Sequence, residues 1–459
     1  MTDTATNLDH TIPDQDYFAA QFTRFAKSAS VGPDWLAAQR RDAMRKFSDI
    51  GFPTRNDEEW RFTNPAQITQ TRFRIAEAKS GTESPASSSS SIGDLIAEYR
   101  MGDSNPLGIA FINGRSAGGE FGLSTAQDGF CVMPLSHLYH STTHPDYETH
   151  VSHYLNRSLS FQSHAFTALN TSFFEDGAFI YVPANTVVDR PIEIVYLSVN
   201  DGEPLMNMPR TLIVAGENSQ ATIIETYIGA FDGTWLTNSV TEVFVGDGAV
   251  IDHYKRCEEP VNALHVGTMS VQLGRSSNFS SHAITLGGGF VRNEVYAELT
   301  GEHSECTLNG LYLGDGSQLI DNHTTIDHAA PNCNSHEIYK GILAGHSRGV
   351  FNGKIYVRLD AQKTDAKQTN KTLLLSPDAR IDTKPQLEIL ADDVKCTHGA
   401  TVGQLDPNQV FYLRSRGMSE TGARSLLTYA FAGDIVQRIK VEALRAALDQ
   451  RLLDMLPSR

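Results

Sequence analysis

From about Phe166 to Gln404 the chain reads as short apolar alternations set between Gly, Asn, Asp and Ser. Ile192-Glu193-Ile194-Val195-Tyr196-Leu197 and Leu212-Ile213-Val214 are typical, and no long helical period interrupts them. Turn-then-strand units recur at Gly216, Gly246, Gly274 and Gly301 at intervals close to 30 residues, and then at Gly314 after only 13. Even, short strands over this length with a loose period predict a stacked β-solenoid; a doubly wound sheet would need intervening helices.

Helical patterning brackets this region. Phe18, Phe22 and Phe25 fall on one helix face, and Trp35 to Phe47 is rich in helix formers before Gly51 and Pro53 stop it. Glu59-Trp60-Arg61-Phe62-Thr63 reads as an aromatic anchor in a surface turn. Residues 79–92, with serines from Ser87 to Ser91, predict a flexible linker. Gly108 to Gly114 predicts a strand closed by an Asn-Gly turn, and Asp146 to Leu159 another helix. After the strands, Asp406-Pro407-Asn408-Gln409 carries N-cap, first-turn proline and capping-box signals. Gly417 ends that helix and Ser419 opens the next. An apolar stripe then runs from Ala423, Leu426, Leu427, Ala430 and Phe431 to Leu452 and Met455. It suits docking on the β-core or a partner. The expected division is residues 1–160, mostly helical; 161–405, solenoid; and 406–459, helical.

Composition narrows the function. The 459 residues are 40% hydrophobic and 20% charged, with net charge −16. Long-range repulsion therefore disfavours nucleic acid and anionic membranes as partners. The first 30 residues show neither a secretory nor a transit signal, and no apolar run reaches the roughly 18 residues of a membrane span. Five unpatterned cysteines suit free thiols in a reducing compartment, so a cytoplasmic protein is expected. There is no P-loop, no G-x-S-x-G elbow and no H-E-x-x-H. Asp321 to His336 holds ligand-type residues at irregular spacing, best read as structural.

One pair carries candidate chemistry. Cys396 and His398, in Asp392 to Gly403, are two apart, so on a strand they face one way with Cα atoms about 7 Å apart. A thiolate and an imidazole could share one metal, but two donors do not close a tetrahedral shell. A C-x-H pair alone is more often a core thiol beside a satisfied histidine.

Several segments together resemble the SufD branch of the SufB/SufD family of the SUF iron–sulfur cluster assembly machinery. They are Asp365 to Ser376, Asp382-Thr383-Lys384-Pro385-Gln386-Leu387-Glu388-Ile389, Ala391 to Gly403, Phe411 to Gly417, Asp321 to Leu343 and Ala168 to Pro191, with Glu59 to Thr63 as a weaker N-terminal echo. The resemblance implies a right-handed parallel β-helix between helical regions, acting as a non-catalytic subunit of a SufB-SufC-SufD complex. It implies a SufC-type ATPase on the C-terminal helices, a SufB-type scaffold at the β-helix end, and a homodimer when isolated. His398, with Cys396 beside it, would contribute to a nascent iron–sulfur cluster or iron opposite a SufB cysteine. No tightly bound cofactor is expected, while reduced flavin is associated with the family's complex. A SufB-like paralogue, a carbohydrate-active β-helix enzyme and a plain oligomerising solenoid are the competing readings.

Overall fold

A computed structural model describes residues 15–28, 32–75, 89–100, 107–118, 129–139, 145–158, 164–200 and 202–456. Its centre is a parallel β-solenoid of about eight turns. Two sheets, of ten and eleven strands, share the coils, and each strand pairs with the strand one coil further on. In the ten-stranded sheet Val250 pairs with Asn278, Asn278 with Glu305, Glu305 with Asn334, Asn334 with Asp365, and Asp365 with Lys395, so a coil takes 27 to 31 residues. The odd interval of 13 in the sequence is half a coil. Glu305–Gly314 lies in one sheet and the next strand, Leu319–His328, in the other.

The corners explain the recurring turn residues. Asn218, Gly248, Ser276, His303, Asn332 and Lys363 all take left-handed backbone, with φ between 54° and 68°, at the same corner of successive coils. Asn and Gly tolerate this conformation best, and the repeat keeps the strands in register. Alternation then sends every second side chain inward, where Ile251, Phe279, Cys306, Leu308, Tyr339 and Phe351 build one continuous core between the sheets.

Helices cover both outer faces. On the eleven-stranded sheet, Gln15–Ser28, Asp34–Ile50 and Ala165–Phe173 bury Phe18, Phe47 and Phe173 against Leu212, Leu236 and Val266. On the ten-stranded sheet, Glu420–Val436 and Glu442–Met455 bury Ile435, Val436, Leu448 and Leu452 against Ile224, Ile284, Leu311 and Ile342. Lys440–Asp252 and Arg451–Glu258 ion pairs, at 2.9 and 3.1 Å, fasten the second helical layer.

The strand expected at Gly108 is present as Leu107–Ile112, turned at Asn113-Gly114, and it pairs in parallel with Ile192–Val199. Other details differ from the pattern in the sequence: Cys131–Pro134 is also a strand and pairs with Gly177–Val182. The 79–92 linker lies mostly outside the described residues, but its last serines open a helix, Ser89–Tyr99. Ile92, Leu95, Ile96 and Tyr99 sit at helical spacing there and pack toward Ala110, Val195 and Ile228, which gives this stretch the apolar burial the serines lack. Trp60 is also not a surface anchor. It is buried, stacks on Phe166 and lies 4.0 Å beneath the guanidinium of Arg292. Arg292 in turn pairs with Glu294 and Asp321, and His323 bridges Asp321 and Glu59. A buried charge needs this cover, and the N-terminal segment supplies it. No helix among the described residues is long and apolar enough to cross a membrane.

Candidate functional site at the open end of the solenoid

The two helical layers leave one end of the solenoid uncovered. There the last coil is made by Arg380–Ile389 in one sheet and Lys395–Gly403 in the other, and each is the edge strand of its sheet. From Thr397 to Gln404 every residue is exposed. Ile389, Leu390 and Val402 add apolar surface, at 38%, 52% and 46% exposure. An edge this open, with unpaired backbone donors and acceptors and no Asp, Glu, Lys or Arg from Thr397 to Gln404, is normally blunted or occupied by another chain.

Cys396 and His398 lie on the second of these strands. Their register partners on Asp365–Leu374 are Ala366 and Gln368, both buried and lumen-facing, whereas Lys395 and Thr397 stand opposite the outward Asp365 and Lys367. The pair therefore faces the lumen at its mouth. Cys396 is half-buried against Val394, Leu387 and Ala366, and burial raises its thiol pKa. His398 is exposed. Lys395 lies on the opposite face and does not activate the thiol. Among the described residues no third His, Cys, Asp or Glu joins this pair in a metal-sized cluster.

Behind His398 the lumen is polar. Glu337, Gln368 and His398 stand in one register column on consecutive coils. Gln368 Nε2 donates to Glu337 Oε2 at 2.7 Å, while Glu337 Oε1 and Gln368 Oε1 lack a partner within hydrogen-bond geometry among the described residues. Burial pushes the Glu337 carboxyl up to about 7. Gly353 faces Gln368 across the lumen: a Cβ there would come within 2.2 Å of Gln368 Nε2, so a larger residue would displace the Gln368 amide from the column. This column was not legible in the sequence. Glu337 and Gln368 are 31 residues apart and no local pattern joins them.

Asp321 to His336 splits by strand alternation. Asp321 and His323 face outward into the Trp60–Arg292 cluster, while His328 bonds Ser335 at 2.9 Å and Cys333 is buried at a corner. They do not converge on one site.

A second exposed feature lies on the C-terminal helices. Asp406 caps Pro407–Ser415 through the Asn408 N–H, and Ser419 caps the next helix through Gly422. Between these helices runs an apolar groove of about 450 Å³ lined by Tyr412, Leu413, Leu426, Leu427 and Ala430. Phe411, 72% exposed, stands on the same short helix. The apolar stripe thus divides between two jobs: Ile435, Val436, Leu448 and Leu452 dock on the sheet, and Leu426, Leu427 and Ala430 face the groove.

Comparison with known proteins agrees with this architecture. Residues 197–431 match the family described as "SUF system FeS cluster assembly, SufBD core domain", and residues 108–194 match "SufBD protein N-terminal region". A SufBD family iron–sulfur cluster assembly protein of Synechocystis is 31% identical over 424 residues, 90% of each chain. The iron–sulfur cluster assembly protein SufD of Escherichia coli is 35% identical over 283 residues, covering 58% of this chain and 67% of that one. Its Bacillus subtilis namesake is 26% identical over 424 residues, 91% of this chain and 93% of the other.

Proposed function

The chain belongs to the SufB/SufD family of iron–sulfur cluster assembly proteins, and from that premise we propose that it is a scaffold subunit that presents His398 to a nascent cluster at an interface with a second family chain. The observation that carries this reading is the placement of His398 and Cys396: lumen-facing, on an unpaired edge strand, with no further donor from the described part of their own chain. Imidazole and thiolate suit iron and iron–sulfur clusters, and two donors need others from outside to complete a shell. Edge-to-edge pairing of a partner strand with Lys395–Gly403 would satisfy the free backbone groups and bring those donors into reach. The relatives named SufD favour that place over the SufB-like one.

The C-terminal groove is the proposed seat of a SufC-type ATPase. Its floor continues through Ile435 and Leu448 into the sheet that ends in His398's strand, so motion imposed on these helices would reach the open end through packed side chains. The chain's part in the chemistry is to hold and orient iron or the growing cluster, which is cargo. Co-expression with a P-loop ATPase and a second family chain tests the assembly. The wild type is expected to co-purify with both. Phe411→Ser should lose the ATPase and keep the family partner, and failure of the wild type to retain any ATPase would overturn the assignment.

A further inference from the structure

A second set of metal-type donors lies away from the open end, at the corner joining the strands Val250–Glu258 and Ala263–Leu273. Cys257 points into the lumen beside the corner, Glu259 follows in the connection, and His265 lies early on the next strand. One donor atom from each falls within 4.8 Å of the other two. Glu259 Oε2 is 3.7 Å from Cys257 Sγ and 2.7 Å from His265 Nδ1. All three residues are at most 2% exposed. The carboxylate is aimed: its other oxygen accepts from the Trp235 indole at 2.9 Å and from the Thr237 hydroxyl at 2.6 Å. Lys255 Nζ lies 2.9 Å from His265 Nε2 and donates to Asn293 Oδ1.

The corner is also reached from outside. A cleft of about 690 Å³ between the coils and the last helix is lined by Glu258, Glu259, Gly287, Gly289, Asp315 and Arg451. Glu259 thus lines the cleft and also belongs to the donor cluster.

We propose that Cys257, Glu259 and His265 bind one thiophilic divalent transition cation, admitted through this cleft. In a tetrahedral shell a sulfur and an oxygen ligand sit about 3.6 Å apart, and a nitrogen and an oxygen about 3.4 Å. The Cys257–Glu259 separation already fits, and the His265–Glu259 hydrogen bond opens by less than 1 Å when a cation replaces its proton. Three protein donors leave the fourth position to a ligand entering by the cleft. A cation there replaces the hydrogen bonds that now run from Cys257 and His265 to Glu259 Oε2, so the buried site need not take up an uncompensated charge.

The site is independent of the open end and of any role in cluster assembly. The test uses the metal-free, reduced full-length chain carrying Cys396→Ser, so that the half-buried thiol does not contribute, and Co²⁺ as probe. One equivalent should bind with thiolate-to-cobalt charge-transfer absorption. Adding His398→Ala should leave the band unchanged, and adding Cys257→Ser should abolish it. No thiolate band without the Cys257 change, or a band that survives it, overturns the proposal. If Cys257→Ser fails to fold, X-ray absorption at the cobalt edge of the Cys396→Ser chain decides: a shell without a sulfur ligand contradicts the site.

Discussion

Glu337 offers a quantitative test of the polar column behind His398. The residue is 1% exposed and one of its oxygens lacks a partner among the described residues, so folding favours the neutral acid. An ordinary value of 4.5 rises to about 7 in the folded chain. Between these limits the folded state binds more protons than the unfolded state, and stability falls as pH rises. At about 1.4 kcal/mol per pH unit, the loss across this window is about 3 kcal/mol. The stabilising contribution is complete below 4.5 and gone above about 7. Glu337→Gln replaces the neutral acid by a neutral isostere that keeps an acceptor for Gln368 Nε2 and cannot ionise. Urea unfolding of both proteins at about pH 5 and about pH 8 measures the difference. The two should have similar midpoints at the lower pH, and the variant should be more stable by about 3 kcal/mol at the higher. Stability curves that run parallel across the window would refute the reasoning, because Glu337 would then be ionised and solvated in the folded chain.

Two further perturbations probe what holds the open end in place. Ile435→Ala empties a fully buried position between the C-terminal helices and the ten-stranded sheet; it should cost about 2–5 kcal/mol by urea midpoint and weaken retention of the ATPase without touching the groove. Arg292→Met removes the cation shared by Asp321 and Glu294 beneath Trp60. Glu294 then loses its counter-charge and Asp321 keeps only that of His323, and a loss of about 3–5 kcal/mol is expected in urea unfolding; a change below about 1 kcal/mol would mean that the cluster is solvated.

The solenoid and its helical flanks were legible because both depend on local rules: period-two alternation, left-handed turn residues at coil spacing, and capping signals at Asp406 and Ser419. The short interval from Gly301 to Gly314 breaks the period because the two sheets alternate along the chain. That Cys396 and His398 share one face followed from alternation; their register shows that this face is the lumenal one and that Lys395 points away. What stayed hidden depends on stacking. Glu337 reaches Gln368 across 31 residues, and Trp60 reaches Arg292 from a different region of the chain. Nothing in either local stretch marks these contacts. Cys257, Glu259 and His265 are close in sequence, yet their spacing matches no standard metal motif. Only the corner between two strands brings their donor atoms together.

The most direct test of the scaffold role is cluster formation on the complex carrying His398→Ala. His398 is exposed at the mouth of the lumen and supports no packing, so the variant should assemble with the ATPase and the second family chain in wild-type proportions. Its yield of iron–sulfur cluster, read by visible absorption and by iron and sulfide content, should fall to background. A wild-type cluster yield from a fully assembled His398→Ala complex would contradict the role assigned to the open end.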